Sequence, residues 1–110
     1  MLLSDLVTDF LEYCEIERNR SQKTVRNYDH YLRRFLNWMK VKNPEDITLP
    51  LVKKYRLLLN RHLDPATNLP LKKVTQAYHI IALRSFLKYL AKQDIATLAP
   101  EKIELPKKPA

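Results

Sequence analysis

Apolar residues recur every three or four positions in four stretches of this chain, the period of an amphipathic helix. The first stretch covers residues 4–18. Leu3, Val7, Phe10, Leu11 and Cys14 mark one face, Ser4 is placed as N-cap, and the acids face outward. Asn19, Arg20 and Ser21 then break the pattern. The second stretch begins with Ser21 or Gln22 and runs to about residue 40, with Ser21 as the cap that takes a free first-turn amide. Val25, Tyr28, Leu32, Phe35, Leu36 and Met39 form its apolar stripe, and Trp38 sits at the edge, as core or rim. Lys23, Arg26, Asn27, His30, Arg34 and Asn37 lie on the far side.

Asn43, Pro44, Glu45 and Asp46 read as a turn, Ile47 as an anchor, and Thr48 as the cap of a third helix that tolerates Pro50 in its first turn. Leu51, Val52, Tyr55, Leu58, Leu59 and His62 supply its buried face. The run from Asp64 to Asn68 is a second turn, and its loop continues to Lys73. The fourth helix spans residues 73–93 with Ala77, Ile80, Leu83, Phe86, Leu87 and Leu90 inward. Tyr78, Ile81 and Tyr89 widen its apolar surface. Lys72, Lys73, Thr75, Gln76, His79, Arg84, Lys88 and Lys92 make up its polar remainder. Residues 95–99 read as a short turn of helix or irregular chain. Pro100, Pro106 and Pro109 then end the periodicity, so residues 99–110 are expected to be an extended linker after a domain of residues 1–98.

Composition sharpens this all-α picture. At 110 residues the chain is one domain or a piece of a larger protein. It contains no glycine, which removes glycine-rich phosphate loops and dinucleotide fingerprints and disfavours tight hairpins. Helix ends must then use Asn, Asp or Pro, and Asn19, Asn43 and Asn68 are the candidates for left-handed backbone. Cys14 stands alone, so no internal disulfide forms, and a reducing, cytoplasmic setting fits. No apolar run is long enough to span a bilayer.

Charge is sorted along the chain. Residues 18–42 carry eight Lys or Arg against the single acid Asp29, whereas the seventeen residues before them carry five acids and no base. Net charge is +8. A positive array held on a helix is most often a footprint for a phosphate backbone. The three histidines are too scattered in sequence for a metal site, and no nucleophile–base arrangement can be drawn, so no catalysis by this chain alone is expected.

What remains is binding. The second helix starts with Ser21, Gln22, Lys23, Thr24 and Asn27, and the fourth with Lys72, Lys73, Thr75, Gln76 and His79. Free amides at a helix start suit a phosphate oxygen. Asn, Gln and Arg can pair with base edges, while hydroxyls mostly hold backbone and set register. The alternative is that the hydroxyls only cap helices and the cations only solvate a surface.

The order of Phe10, Ser21 to Val25, Tyr28, Leu32, Phe35 and Trp38 forms a recognisable series. It continues with Ile47, Thr48, Val52, Tyr55, Leu59, Thr75, Ala82, Leu83, Arg84, Phe86, Tyr89 and Leu90, and ends with Pro100 and Ile103 to Lys107. Over nearly the whole chain this resembles the N-terminal SAM-like, or core-binding, domain of tyrosine recombinases (phage integrases, Xer type). The resemblance implies an orthogonal bundle of four or five helices forming half of a clamp around a double-stranded recombination half-site. It implies DNA contacts from Ser21, Lys23, Thr24 and Asn27 on the second helix. On the fourth it implies contacts from Lys72, Lys73, Thr75, Gln76 and His79, with Arg84 either contacting backbone or bracing the bundle. It further implies recombinase protomers as partners, a tetramer for the full-length parent, and catalytic residues in a second domain. No metal, nucleotide cofactor, small-molecule ligand or membrane is implied. The acidic face of the first helix is a candidate for contacts between protomers. The rival reading is a helical protein-interaction or assembly module with an incidental basic face.

Overall fold

The computed structural model describes residues 1–105. Four helices pack around one core: α1 (Leu3–Ile16), α2 (Gln22–Met39), α3 (Leu49–Arg61) and α4 (Lys73–Lys92). Short 3-10 turns, Pro44–Asp46 and Pro100–Lys102, flank α3 and follow α4. The expected all-α fold is the observed one. The pairing across the α3–α4 loop is a single bridge between Leu63 and Pro70.

Each helix forms where the spacing places it and ends for an identifiable reason. In α1, Leu3, Leu6, Val7, Phe10 and Cys14 are buried. Its start is two residues earlier than the Ser4 cap would set, with Leu2 in the cap position. The Leu3 amide instead donates to the Lys42 carbonyl at 2.7 Å, which ties the N-terminus to the turn after α2. Ser21 does cap α2, its Oγ accepting from the Thr24 amide at 3.1 Å. With no glycine available, α2 ends through Lys40 in the left-handed region (φ 53°), and the next residue, Val41, returns to the core. Asn19, Asn68 and Asp94 also take positive φ. Asn43 does not: its amide donates to the Asp46 carboxylate at 3.0 Å, and it opens the 3-10 turn in extended conformation. Thr48 caps α3 by accepting from the Leu51 amide at 3.4 Å.

α4 is the central helix, packed on α1, α2 and α3 alike. Ile80, Ala82, Leu83, Phe86, Leu87 and Leu90 are buried. Phe10 of α1 joins α2 to α4 by stacking on Tyr28 at 6.1 Å and meeting Phe86 and Tyr89 at 5.5 Å each. On the other side Phe35 of α2 meets Tyr55 of α3 edge-on at 4.9 Å. Arg33, one of the eight cations in residues 18–42, is structural. It binds Asp29 at 2.9 Å and donates to the Ser4 carbonyl and Thr8 hydroxyl, joining α2 to α1.

The tail departs from the expected linker. Pro100 and Ile103 are buried. The Thr97 hydroxyl donates to the Pro44 carbonyl at 2.7 Å, and Arg56 donates to the Glu104 carbonyl. The chain therefore keeps packing to about Ile103, whose side chain joins the core cluster while the Pro100–Lys102 turn lies against α4. The linker expected over residues 106–110 lies outside the described residues.

Candidate nucleic-acid interface

The two helix starts singled out by the sequence belong to helices that cross. The contact is made by rings: Tyr31 of α2 stands 4.2 Å from His79 of α4, and His30 stands 6.5 Å from it. Tyr31 lies nine residues into α2 from Gln22, and His79 six residues into α4 from Lys73. At 1.5 Å per residue, each first turn lies within about 9–14 Å of the crossing along its own axis.

Around that crossing the candidate residues sort into three groups. Ser21, Lys23, Asn27, Lys72 and Lys73 are exposed. Lys73 reaches back to α3, donating to Asn60 Oδ1 at 2.8 Å. Thr24, Thr75 and Gln76 are half-buried, and Gln76 Nε2 donates to the Leu71 carbonyl at 2.9 Å, closing the loop into α4. Thr24 is additionally bonded to Ser21 through its hydroxyl at 3.0 Å.

His79 forms the third group and corrects the sequence expectation. It is 1% exposed, not part of an outward polar face. Its spacing from Leu83, Phe86 and Leu90 is that of a core position, and the ring is satisfied inside. Arg34 Nη1 lies 3.0 Å from Nε2, and the Thr75 carbonyl lies 2.7 Å from Nδ1. A guanidinium can only donate. Nε2 must therefore be the acceptor, and Nδ1 carries the proton given to Thr75. Burial pushes the imidazole down to about 4, with Arg34, His30 and His62 adding to the effect and the Thr75 carbonyl opposing it.

Arg84 stands apart from the helix starts, nine residues beyond Thr75 and about 13 Å along α4. It is half-buried, and its Nε is sealed from solvent without a hydrogen-bond partner among the described residues. That placement favours bracing the bundle.

Sequence reasoning missed Arg34. Its helical position sets it on the far side of α2 from the apolar stripe, yet it is held against His79 and over the Trp38 ring, 5.1 Å from the ring centroid. Trp38 in turn lies 4.9 Å from His62 at the end of α3. Three histidines scattered in sequence thus gather around one arginine. Among the described residues no group of side chains could hold a metal ion. Asn27, His30 and Arg34 fall at i, i+3 and i+7, one face of α2, but that spacing does not show which residue of α4 the face meets.

A basic concavity of about 350 Å³ lies away from the helix starts, between α1, the turn after it and the C-terminal half of α4. Arg18, Arg20, Lys88 and Lys92 line it with Tyr13, Tyr28 and Cys14. Burial raises the Cys14 thiol, against the opposing pull of Arg20 and Arg18. The Arg33–Asp29 pair is the one ion pair among the described residues, so the cations at both places have no carboxylate partner there.

Residues 7–94 match the model of the phage integrase N-terminal SAM-like domain. The chain belongs to that family. It is 32% identical over 101 residues to tyrosine recombinase XerC of Bacillus licheniformis, covering 89% of this chain and 31% of that protein. To tyrosine recombinase XerC of Bacillus subtilis (strain 168) it is 28% identical over 106 residues, covering 96% of this chain and 34% of that protein. The chain thus spans about a third of the length of these relatives, and the match is to the recombinases' N-terminal domain. No solved structure matches. Among the described residues no helix is long and apolar enough to cross a membrane.

Proposed function

We propose that this domain binds double-stranded DNA across the junction of α2 and α4, as the non-catalytic half of a clamp on a recombination half-site. The observation that carries the reading is the packing of α2 on α4 through Tyr31 and His79, whose rings stand 4.2 Å apart nine and six residues into their helices. Lys23, Lys72 and Lys73 supply positive charge there, and Ser21 and Thr24 stand at a helix start whose amides suit a phosphate. Asn27 and Gln76 offer the amide groups that can pair with base edges. The folded unit extends to about Ile103, beyond the boundary at residue 98.

In a recombinase of the relatives' length, strand cleavage and joining through a phosphotyrosyl intermediate belong to a catalytic domain. This domain supplies grip and register. Its partners would be the half-site and further recombinase protomers, four in the full assembly, with the acidic face of α1 among the protomer contacts. Changing Asp5, Asp9 and Glu12 to Lys in a full-length recombinase should impair tetramer formation. An unaffected tetramer removes α1 from that role.

Titration of duplex DNA against salt tests the reading. If about five phosphates are neutralised, log K against log salt should fall with a slope near −4 to −5. Lys73→Ala should weaken binding to all sequences alike, whereas Asn27→Ala should cost about 1–3 kcal/mol at particular base pairs. Salt-independent binding, or none, contradicts the proposal.

A further inference from the structure

The polar group nearest the crossing that sequence reasoning passed over is Arg34, and it is the most tightly constrained cation at the junction. Two contacts and its place on α2 fix it. Its own helix sets its direction, His79 Nε2 receives one Nη1 hydrogen at 3.0 Å, and the Trp38 face lies beneath the guanidinium at 5.1 Å. His79 cannot drift, because its other nitrogen is bonded to the Thr75 carbonyl at 2.7 Å and its ring packs on Tyr31. Nε and Nη2 of Arg34 make no hydrogen bond among the described residues and are not sealed from solvent as Arg84 Nε is. That leaves the Nε–Nη2 edge whole, the planar fork that matches two adjacent acceptors. Arg34 also lies on the same α2 face as Asn27 and His30, seven and four positions after them.

We propose that Arg34 is a pre-oriented duplex-contacting fork, aimed by the buried acceptor His79, that engages paired acceptors of the DNA: a guanine edge or a phosphate. This rests on the DNA-binding reading above and deepens it. A free arginine side chain loses rotamer freedom when it binds, and an arginine already held loses less. An orienting acceptor must stay neutral to receive the Arg34 hydrogen, and an imidazole in a dry helix crossing meets that condition. His79 is thus a positioning residue, and Arg34 the one that touches the ligand.

The test has two parts. In the free chain, nuclear magnetic resonance should show slow rotation of the Arg34 guanidinium, which His79→Phe releases and His79→Gln, keeping an acceptor, restores. Rotation as fast as that of Arg26 would overturn the pre-orientation without reference to DNA. For binding, duplexes selected by the wild-type chain from a random pool serve as probes. Arg34→Lys, which keeps the charge and loses the fork, should weaken binding to them about tenfold or more. His79→Phe should weaken it similarly, and His79→Gln less. A loss tied to one base pair identifies a guanine edge; an equal loss on unselected duplexes identifies a phosphate. Wild-type binding by Arg34→Lys, with Lys73→Ala impaired, sinks the fork alone. No duplex binding by the wild-type chain sinks the fork and the DNA reading together.

Discussion

His79 shows how one residue can carry stability and placement at once. Its folded value of about 4 lies below the ordinary 6.5 of a histidine, so the unfolded chain takes up the proton first as pH falls. Stability from keeping it neutral is fully present above about pH 6.5, declines from there to about pH 4, and is level below. The swing is about 3 kcal/mol. Urea unfolding at pH 7 and pH 5 should show the larger part of this loss, about 2 kcal/mol, in the wild type and a smaller one in His79→Gln. Equal losses in both would contradict the assignment. Tyr55 makes a second case. It is fully buried, and its hydroxyl has no partner among the described residues. Removing an unsatisfied buried group recovers its desolvation cost, so Tyr55→Phe should leave stability unchanged or raise it by about 1 kcal/mol. A clear loss on unfolding would mean that the hydroxyl has a partner.

At the scale of elements, capping and packing can be tested separately. Ser21→Ala should destabilise by about 1 kcal/mol through loss of the Thr24 amide's acceptor. Ile103→Ala should cost about 2–5 kcal/mol in chemical unfolding if the tail is part of the core. A negligible effect there would return residues 99–103 to the linker. The helices themselves were legible in the sequence, since Val52, Tyr55 and Leu59 or Leu83, Phe86 and Leu90 repeat at helical spacing. The caps of α2 and α3 were legible too, because a hydroxyl before an apolar run has few other uses. The tail was not. Ile103 stands alone between prolines, with no period to show that it is buried, and only the assembled bundle provides the core it joins. The site was half legible. Local chemistry marked the polar first turns, but the Arg34–His79 contact joins residues 45 apart in sequence. Neither identity nor spacing within one helix reveals such a pair. The burial of His79 could have been read from its register with Leu83 and Phe86.

For the whole molecule, the distribution of charge matters more than its total of +8. Cations occur both at the α2–α4 junction and around the cleft of Arg18, Arg20, Lys88 and Lys92. A duplex attracted only by net charge would touch both. The account instead assigns the duplex to the junction, with salt-sensitive affinity and modest strength for one half of a clamp. Backbone amide shifts of the labelled chain, followed during titration with a duplex, distinguish these directly. Binding at the junction predicts shifts concentrated in residues 21–34 and 72–79. Shifts centred on the cleft of Arg18 and Lys88, or no saturable shifts at all, would contradict it.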